Sequence, residues 1–433
     1  MDSAKILVFD EEGIKSKMKD FHEPMLYLST PEHPNTMCVL AVLKEPIDGD
    51  ILRSVVEELR VRFPYFYIKA VPRDNDIYPE MNPLPIHVRN TWAPIKFNSS
   101  ESNYHLIAWK YEGKRVALEI SHSLTDGAGV LPYMKSVLYL YLSRKTGQFF
   151  DSTGFRLPGD VIPASEIGNP FENIDIDKVD EPPYIKQTTK DFYRLNDRRD
   201  TSPQVHYIKL SEQQLMQCCS DFNGSPNALL AVILARTARR YDPESEKSIS
   251  AAIAIDHKAM LGVYDNYRLF AGVIELDFPK DEPLDNIMKA CTIARRQIKS
   301  QATPENSLRA LKERKNNYAK MDQLPLDMKF KAMAKAAGNA RWSFTVSYMN
   351  IRTMGLPDSY IEALYVLTEP VVADICCEMT CINHNFFLAV AQSFSANRFI
   401  DTFLSELLSI GIKYEVTDKE SLRLCGMEAF KCS

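Results

Sequence analysis

At 433 residues the chain is too long for one ordinary core and suits two domains or two halves. Hydrophobic residues make up 45% and charged residues 25%, the ordinary globular mix, and the formal charge of -5 gives no reason to expect a nucleic-acid partner. No apolar run approaches the ~18 residues of a membrane-spanning helix.

The N-terminal stretch "MDSAKILVFDEEGIKSK" is charged and lacks the apolar core and small-residue cleavage site of a signal peptide, so a cytoplasmic protein is expected. "NTMCVLAVLKEP" reads as a strand. In "DGDILRSVVEELRVRFP", apolar residues at Ile51, Val55, Leu59 and Phe63 predict a helix capped by Asp48 or Asp50 and stopped at Pro64. The aromatic run "PYFYIKAV" reads as core strand rather than a ligand cage. "HLIAWKYEGKRVALEISH" is two β-rich runs about Glu112-Gly113, a hairpin signal. "VLPYMKSVLYLYLSRKTG" has helical spacing, basic residues in its last turn and Gly147 as its stop. From ~150 to ~200 the chain is rich in Pro, Gly, Asp and Glu and reads as a crossover linker.

A second α/β region follows. "SEQQLMQCCSDFNG" opens with Ser211 and Gln214 in a capping-box pattern, and "SPNALLAVILARTARRY" with Ser225 as cap and Pro226 at the first helical position. "KSISAAIAID", "FAGVIELDF", "RWSFTVSYMNI" and "NFFLAVAQSFS" read as strands, the last followed by an amphipathic helix from about Asn397 to Ile410. "RRQIKS" and "KERKNN" read as solvated helix faces. The nine cysteines are scattered, no C-x-x-C occurs, and reduced thiols acting as small hydrophobes are expected. His105, His206, His257 and His384 share no metal-ligand spacing and read as structural or surface groups, so no metal is expected.

The segment with chemical content is "EISHSLTDGAGV". A histidine at a strand end faces whatever cleft lies beyond the sheet, and its pKa near neutrality lets it take and return a proton. Asp126 with Gly127 and Gly129 suggests a tight turn in which the carboxylate folds back onto the loop or onto a cation elsewhere, and Gly127 would give the backbone a dihedral closed to other residues. A lone strand-end histidine is more often structural, and Asp-Gly is more often only a turn. Context decides between the readings.

H-x-x-x-D-G after a β-run and before a helix, in a two-half α/β chain of this length, resembles the chloramphenicol-acetyltransferase-like, CoA-dependent acyltransferase superfamily. That superfamily includes condensation domains of peptide synthetases, alcohol O-acetyltransferases and the plant BAHD enzymes; this chain is most similar to the alcohol acetyltransferase-like and condensation-like members. "PIDGDILRSVVEELRVRFPYF" resembles the family's first helix and "GSPNALLAVILARTARRY" the helix that opens its second half. "IAIDHKAMLGVYDNYRLFAGV" resembles its D-x-R segment, and "TVSYMNIRTMGLP" its S-N-x-G…L-P segment. Ser121 stands where some members carry a first histidine, "SYMN" replaces S-N-x-G, and the D-F-G-W-G signature of the plant branch is absent.

The resemblance implies two α/β sandwich lobes with a central channel: residues 1–160 carrying the motif, a linker over 161–200, and a second lobe over 201–433. It implies His122 as general base, Asp126 as a structural clamp with a basic partner, and Gly127 as the point where substrate comes close to the backbone. The partner position falls on Lys258, with Arg268 as competitor. Oxyanion donors are expected from the backbone around Gly127 and the hydroxyls of Ser347 or Tyr348. The expected reaction moves an acyl group, acetyl in the first instance, from acyl-CoA as cosubstrate to a hydroxyl or amine, with no protein nucleophile, no permanently bound cofactor and a monomeric enzyme. A carrier-protein thioester supplied in trans, or a non-catalytic binding protein of the same fold, are the alternatives.

Overall fold

The computed structural model describes residues 24–29, 34–169, 171, 174–180, 191–195, 202–338, 342–349, 351 and 353–427. Its strands are β1 (Thr36–Leu43), β2 (Ile68–Arg73), β3 (Asp76–Met81), β4 (Val88–Asn90), β5 (Ile107–Glu112), β6 (Arg115–Ser121), β7 (Gln204–Ser211), β8 (Ile249–Asp256), β9 (Ala271–Phe278), β10 (Trp342–Met349), β11 (Ile361–Thr368), β12 (Ala373–Ile382), β13 (Asn385–Gln392) and β14 (Tyr414–Ser421). Its helices are α1 (Gly49–Glu58), α2 (Gly127–Thr146), α3 (Ala164–Ile167), α4 (Glu212–Asp221), α5 (Pro226–Tyr241), α6 (His257–Leu261), α7 (Ile287–Gln301), α8 (Pro304–Asp322), α9 (Leu326–Gly338) and α10 (Arg398–Ser409).

Local chemistry sets these boundaries. Asp48 caps α1 by accepting from the Asp50 and Ile51 amides, and a short 3-10 turn ends the segment before Pro64. Tyr65, Phe66 and Tyr67 are buried, but the first two belong to a 3-10 turn and only Ile68 onward is strand. Gly113, at φ +57°, makes the β5–β6 turn, and Gly147, at φ +69°, ends α2. Ser211 and Ser225 cap α4 and α5 through the Gln214 and Ala228 amides. The eight described cysteines are thiols outside any disulfide, and seven of them are buried.

Two sheets carry the architecture. The first runs β11-β1-β6-β5-β4 and the second β14-β7-β13-β12-β10-β8-β9, with β2-β3 as a separate ribbon. Burial tracks position in the sheet. Central β12, "ADICCEMTCI", is buried throughout, as a strand covered on both faces must be, while edge strand β14, "YEVTDKES", is charged and mostly exposed. Helix α5 lies in the second core with Leu229 through Ala235 fully buried, so it is apolar all round rather than amphipathic.

One strand crosses between the sheets. β11 leaves the second half of the chain and pairs antiparallel with β1, from Met37↔Thr368 to Leu43↔Ile361. The linker is also bound in. Glu166 of α3 is fully buried and takes both guanidinium nitrogens of Arg62 at 2.7 and 2.9 Å, Arg156 at 2.9 Å, and the Tyr65 hydroxyl. Its carbonyl accepts from the Tyr267 amide at 3.1 Å, and Tyr65 stacks on the Tyr267 ring at 4.0 Å. Residues 165–168 therefore tie Arg62 and Tyr65 of the first region to the 266–268 loop of the second.

Candidate active site

β6 ends at Ser121, and His122 is the first residue beyond it. Its amide donates to the Asn35 carbonyl at 2.8 Å, and its Nδ1 lies 2.8 Å from the Thr125 carbonyl. A carbonyl only accepts, so Nδ1 carries the hydrogen in the neutral ring and Nε2 keeps its lone pair. The ring is half-buried at the wall of a cavity.

Asp126 caps α2. Its Oδ1 accepts from the Gly129 amide at 2.9 Å and from Lys258 Nζ at 2.6 Å; its Oδ2 accepts from the Phe270 amide at 2.8 Å. Asp126 is 3% exposed and Lys258 1%, so this is a buried ion pair between the two halves of the chain. Lys258 is set in place by α6, whose cap Asp256 accepts from the Lys258 amide at 2.9 Å. Arg268 goes elsewhere: its Nη2 donates to the Ile167 carbonyl of α3 at 3.2 Å. Asn266, two positions before it, fastens the same turn through the Ser165 and Gly168 carbonyls.

The glycines differ from expectation. Neither Gly127 nor Gly129 has a positive φ, because both lie in the first turn of α2 rather than in a strained loop. Space is the reason for glycine at both. A Cβ on Gly129 would stand 2.1 Å from the Tyr267 carbonyl oxygen, which is backbone of the second region; one on Gly127 would meet only the Met349 methyl, at 2.4 Å.

The cavity measures about 620 Å³ and is lined from both sheets: His122 and Gly127 on one side, Ser347, Tyr348 and Met349 of β10 on the other, with Thr368 of β11 and Glu378 of β12 between. Most of its wall is apolar, including Met37, Leu131, Val273 and Val366. The Ser347 hydroxyl bonds to the Glu378 carboxylate, and Tyr348 tilts against Phe386 at 5.5 Å. Asn350 of "SYMN" lies outside the described residues.

Sequence reasoning missed two cavity carboxyls, Glu369 and Glu378. Burial raises the Glu378 pKa, against the opposing pull of the Ser347 and Thr368 hydroxyls and the His122 imidazole. Burial likewise pushes Glu369 up to about 7, opposed by the Leu424 amide that it accepts at 3.2 Å. The available signal for Glu378 was a glutamate in the middle of a run of small and apolar residues.

The remaining histidines are elsewhere. His105 and His206 are buried and held down to about 4, and His257 to about 3, in each case by desolvation first. His257 Nδ1 lies 3.0 Å from the Ser307 hydroxyl, and the exposed His384 sits beside Glu212. Among the described residues, no group of three or more His, Cys, Asp or Glu is placed to hold a metal ion, and no helix is long and apolar enough to cross a membrane.

No protein-family model matches the sequence, and no curated protein matches it. Solved structures do match. Polyketide synthase associated protein 5 from Mycobacterium tuberculosis is 12% identical, with a TM-score of 0.59 over 90% of this chain and 96% of that one. TRI101 of F. graminearum, complexed with coenzyme A and T-2 mycotoxin, is 12% identical, with a TM-score of 0.58 over 90% and 98%. The epimerization domain of tyrocidine synthetase B is 12% identical, with a TM-score of 0.52 over 88% and 92%. This chain therefore shares the mixed α/β fold of these solved structures.

Proposed function

We propose that this protein transfers an acyl group from a thioester to a hydroxyl or amine, with His122 as general base. The observation that supports this best is the state of the His122 ring: Nδ1 is committed to the Thr125 carbonyl, which leaves Nε2 as a proton acceptor beside a cavity lined from both lobes. In this reading the lobes are residues 1–160 and 201–433, joined by 161–200, and the cavity belongs to a channel that both substrates enter. Nε2 takes the acceptor's proton as its oxygen or nitrogen bonds to the thioester carbonyl carbon. The C–S bond then breaks, and the departing sulfur takes the proton back from the imidazolium.

The tetrahedral oxyanion is met by the first amides of α2 around Gly127, where the helix dipole favours negative charge, and by the Tyr348 hydroxyl, since the Ser347 hydroxyl is given to Glu378. Asp126 does not touch substrate; with Lys258 it fixes the loop that aims His122. Acyl-CoA is the preferred donor, since TRI101, which shares the fold, was solved with coenzyme A. A carrier-protein thioester is the second reading, supported by the shared fold of the synthetase epimerization domain.

The test is mass spectrometry of a small-molecule extract incubated with purified protein and acetyl-CoA. A newly acylated compound should form with the wild type and not with His122→Ala. Equal product from both proteins would refute the role assigned to His122.

A further inference from the structure

Glu378 has no part in the transfer steps above, yet it faces the same cavity as the proposed base. It sits in the middle of β12, between Ser347 of β10 and Ala389 of β13, so no sheet edge brings solvent to it, and it is 9% exposed. Its carboxylate accepts from the Thr368 hydroxyl at 2.8 Å and from the Ser347 hydroxyl. Both donors are neutral. Among the described residues, none of its partners is a lysine or arginine, and Lys258 is committed to Asp126. A carboxylate taken out of water and held only by neutral hydroxyls is costly to ionise and is relieved by a cation. Among the described lining residues, the His122 imidazole is the one group opposite it that can carry positive charge, and the rest of the wall is apolar, neutral or acidic.

We propose, resting on the acyl-transfer reading above, that Glu378 selects a primary amine as the acceptor by binding its ammonium beside His122. The two hydroxyls orient the carboxylate, and its remaining lone pairs take the ammonium N–H groups. The charges and protons then balance in order. The ammonium gives one proton to Glu378 and becomes a neutral amine. As the C–N bond forms, a second proton passes from nitrogen to His122 Nε2. The C–S bond breaks and the thiolate takes that proton. The products are an amide and a thiol, and the proton on Glu378 is released to water. Burial raises the proton affinity of Glu378, which suits it to the first of these transfers.

The experiment uses matched acceptors on one carbon skeleton: n-hexylamine with n-hexanol, and 2-phenylethylamine with 2-phenylethanol, each with acetyl-CoA. Thiol release gives kcat and KM, and mass spectrometry identifies the product. The wild type should favour each amine over its alcohol by at least tenfold in kcat/KM. Glu378→Gln keeps the shape and the melting temperature, and should lower that ratio at least tenfold, chiefly by raising KM for the amine. A wild type that prefers the alcohols, or an unchanged ratio in the variant, overturns the proposal and leaves acyl transfer standing. Calorimetric titration of 2-phenylethylamine without donor separates the two ideas. Binding that weakens at least tenfold in Glu378→Gln, with no acetylation of any acceptor, supports the amine site and refutes the transfer reading. Absence of binding to the wild type overturns the amine site.

Discussion

The Asp126–Lys258 pair is the sharpest point at which to perturb the fold. Both side chains are nearly inaccessible, at 5% and 1%, and their 2.6 Å contact joins the α2 cap to α6. Asp126→Asn removes the charge, strands the Lys258 ammonium, and turns an amide NH2 or a weaker acceptor toward the Phe270 amide. Breaking one side of a buried ion pair costs about 3–5 kcal/mol. Taking an unfolding entropy of about 2.1 cal/mol/K per residue, the whole chain has about 0.9 kcal/mol/K, so the melting temperature should fall by about 3–6 °C. Lys258→Met should cost a similar amount, because it leaves Asp126 buried with only backbone donors. The double variant should lose less than the sum of the two, by about 1–3 kcal/mol, since neither charge is then left alone. Thermal and urea unfolding of the four proteins closes the cycle, with thiol release from acetyl-CoA measured in parallel. If the two losses simply add, the pair is not the clamp described here. If Asp126→Asn abolishes turnover at an unchanged melting temperature, Asp126 acts in the chemistry.

His122→Ala should lower acyl transfer by about two to four orders of magnitude, while its melting point moves little, since one hydrogen bond of about 1 kcal/mol is lost; near-full activity in the variant contradicts the role of the base. Gly129→Ala should destabilise by about 3 kcal/mol, the upper range for overpacking, because its new methyl meets rigid backbone, whereas Gly127→Ala should cost about 1 kcal/mol because the Met349 methyl can swing aside. The reverse order in urea unfolding would show that the two contacts have been misjudged. Glu369, pushed up to about 7 by burial, holds a proton in the folded protein that the unfolded chain releases near 4.5. Stability should therefore fall as pH rises through that window, and Glu369→Gln should remove part of the fall. The comparison is the change in melting temperature between about pH 5 and 7.5, and equal changes in both proteins would exclude Glu369 as the source.

What could be read from the sequence was local. Asp48, Ser211 and Ser225 reach only two or three residues along the chain, and so do Gly113 and Gly147, so their roles depend on little beyond neighbouring residue types. His122 could be singled out because a strand end, a cap and two glycines fall in one short window. The rest needed contacts across the chain. Lys258 and Arg268 are both basic, and only the direction of α6 puts the first on Asp126 while the linker takes the second. Gly127 looked like a turn residue, but its constraint comes from Met349, more than two hundred positions away. Glu378 gave no motif, because its neighbours Thr368, Ser347 and His122 come from three other segments.

The crossing strand governs the order in which this protein can be completed during synthesis. β1 ends at Leu43, but its outer neighbour β11 ends at Thr368, about 325 residues later. At ~5–20 residues per second the ribosome needs roughly 16–65 s to supply it. Through that interval β1 presents unpaired amides and carbonyls along a strand of mostly apolar residues, "TMCVLAVL", which is the kind of edge that recruits other chains. The first sheet is thus finished almost last, and the nascent chain must be shielded at β1 while the whole second region is made.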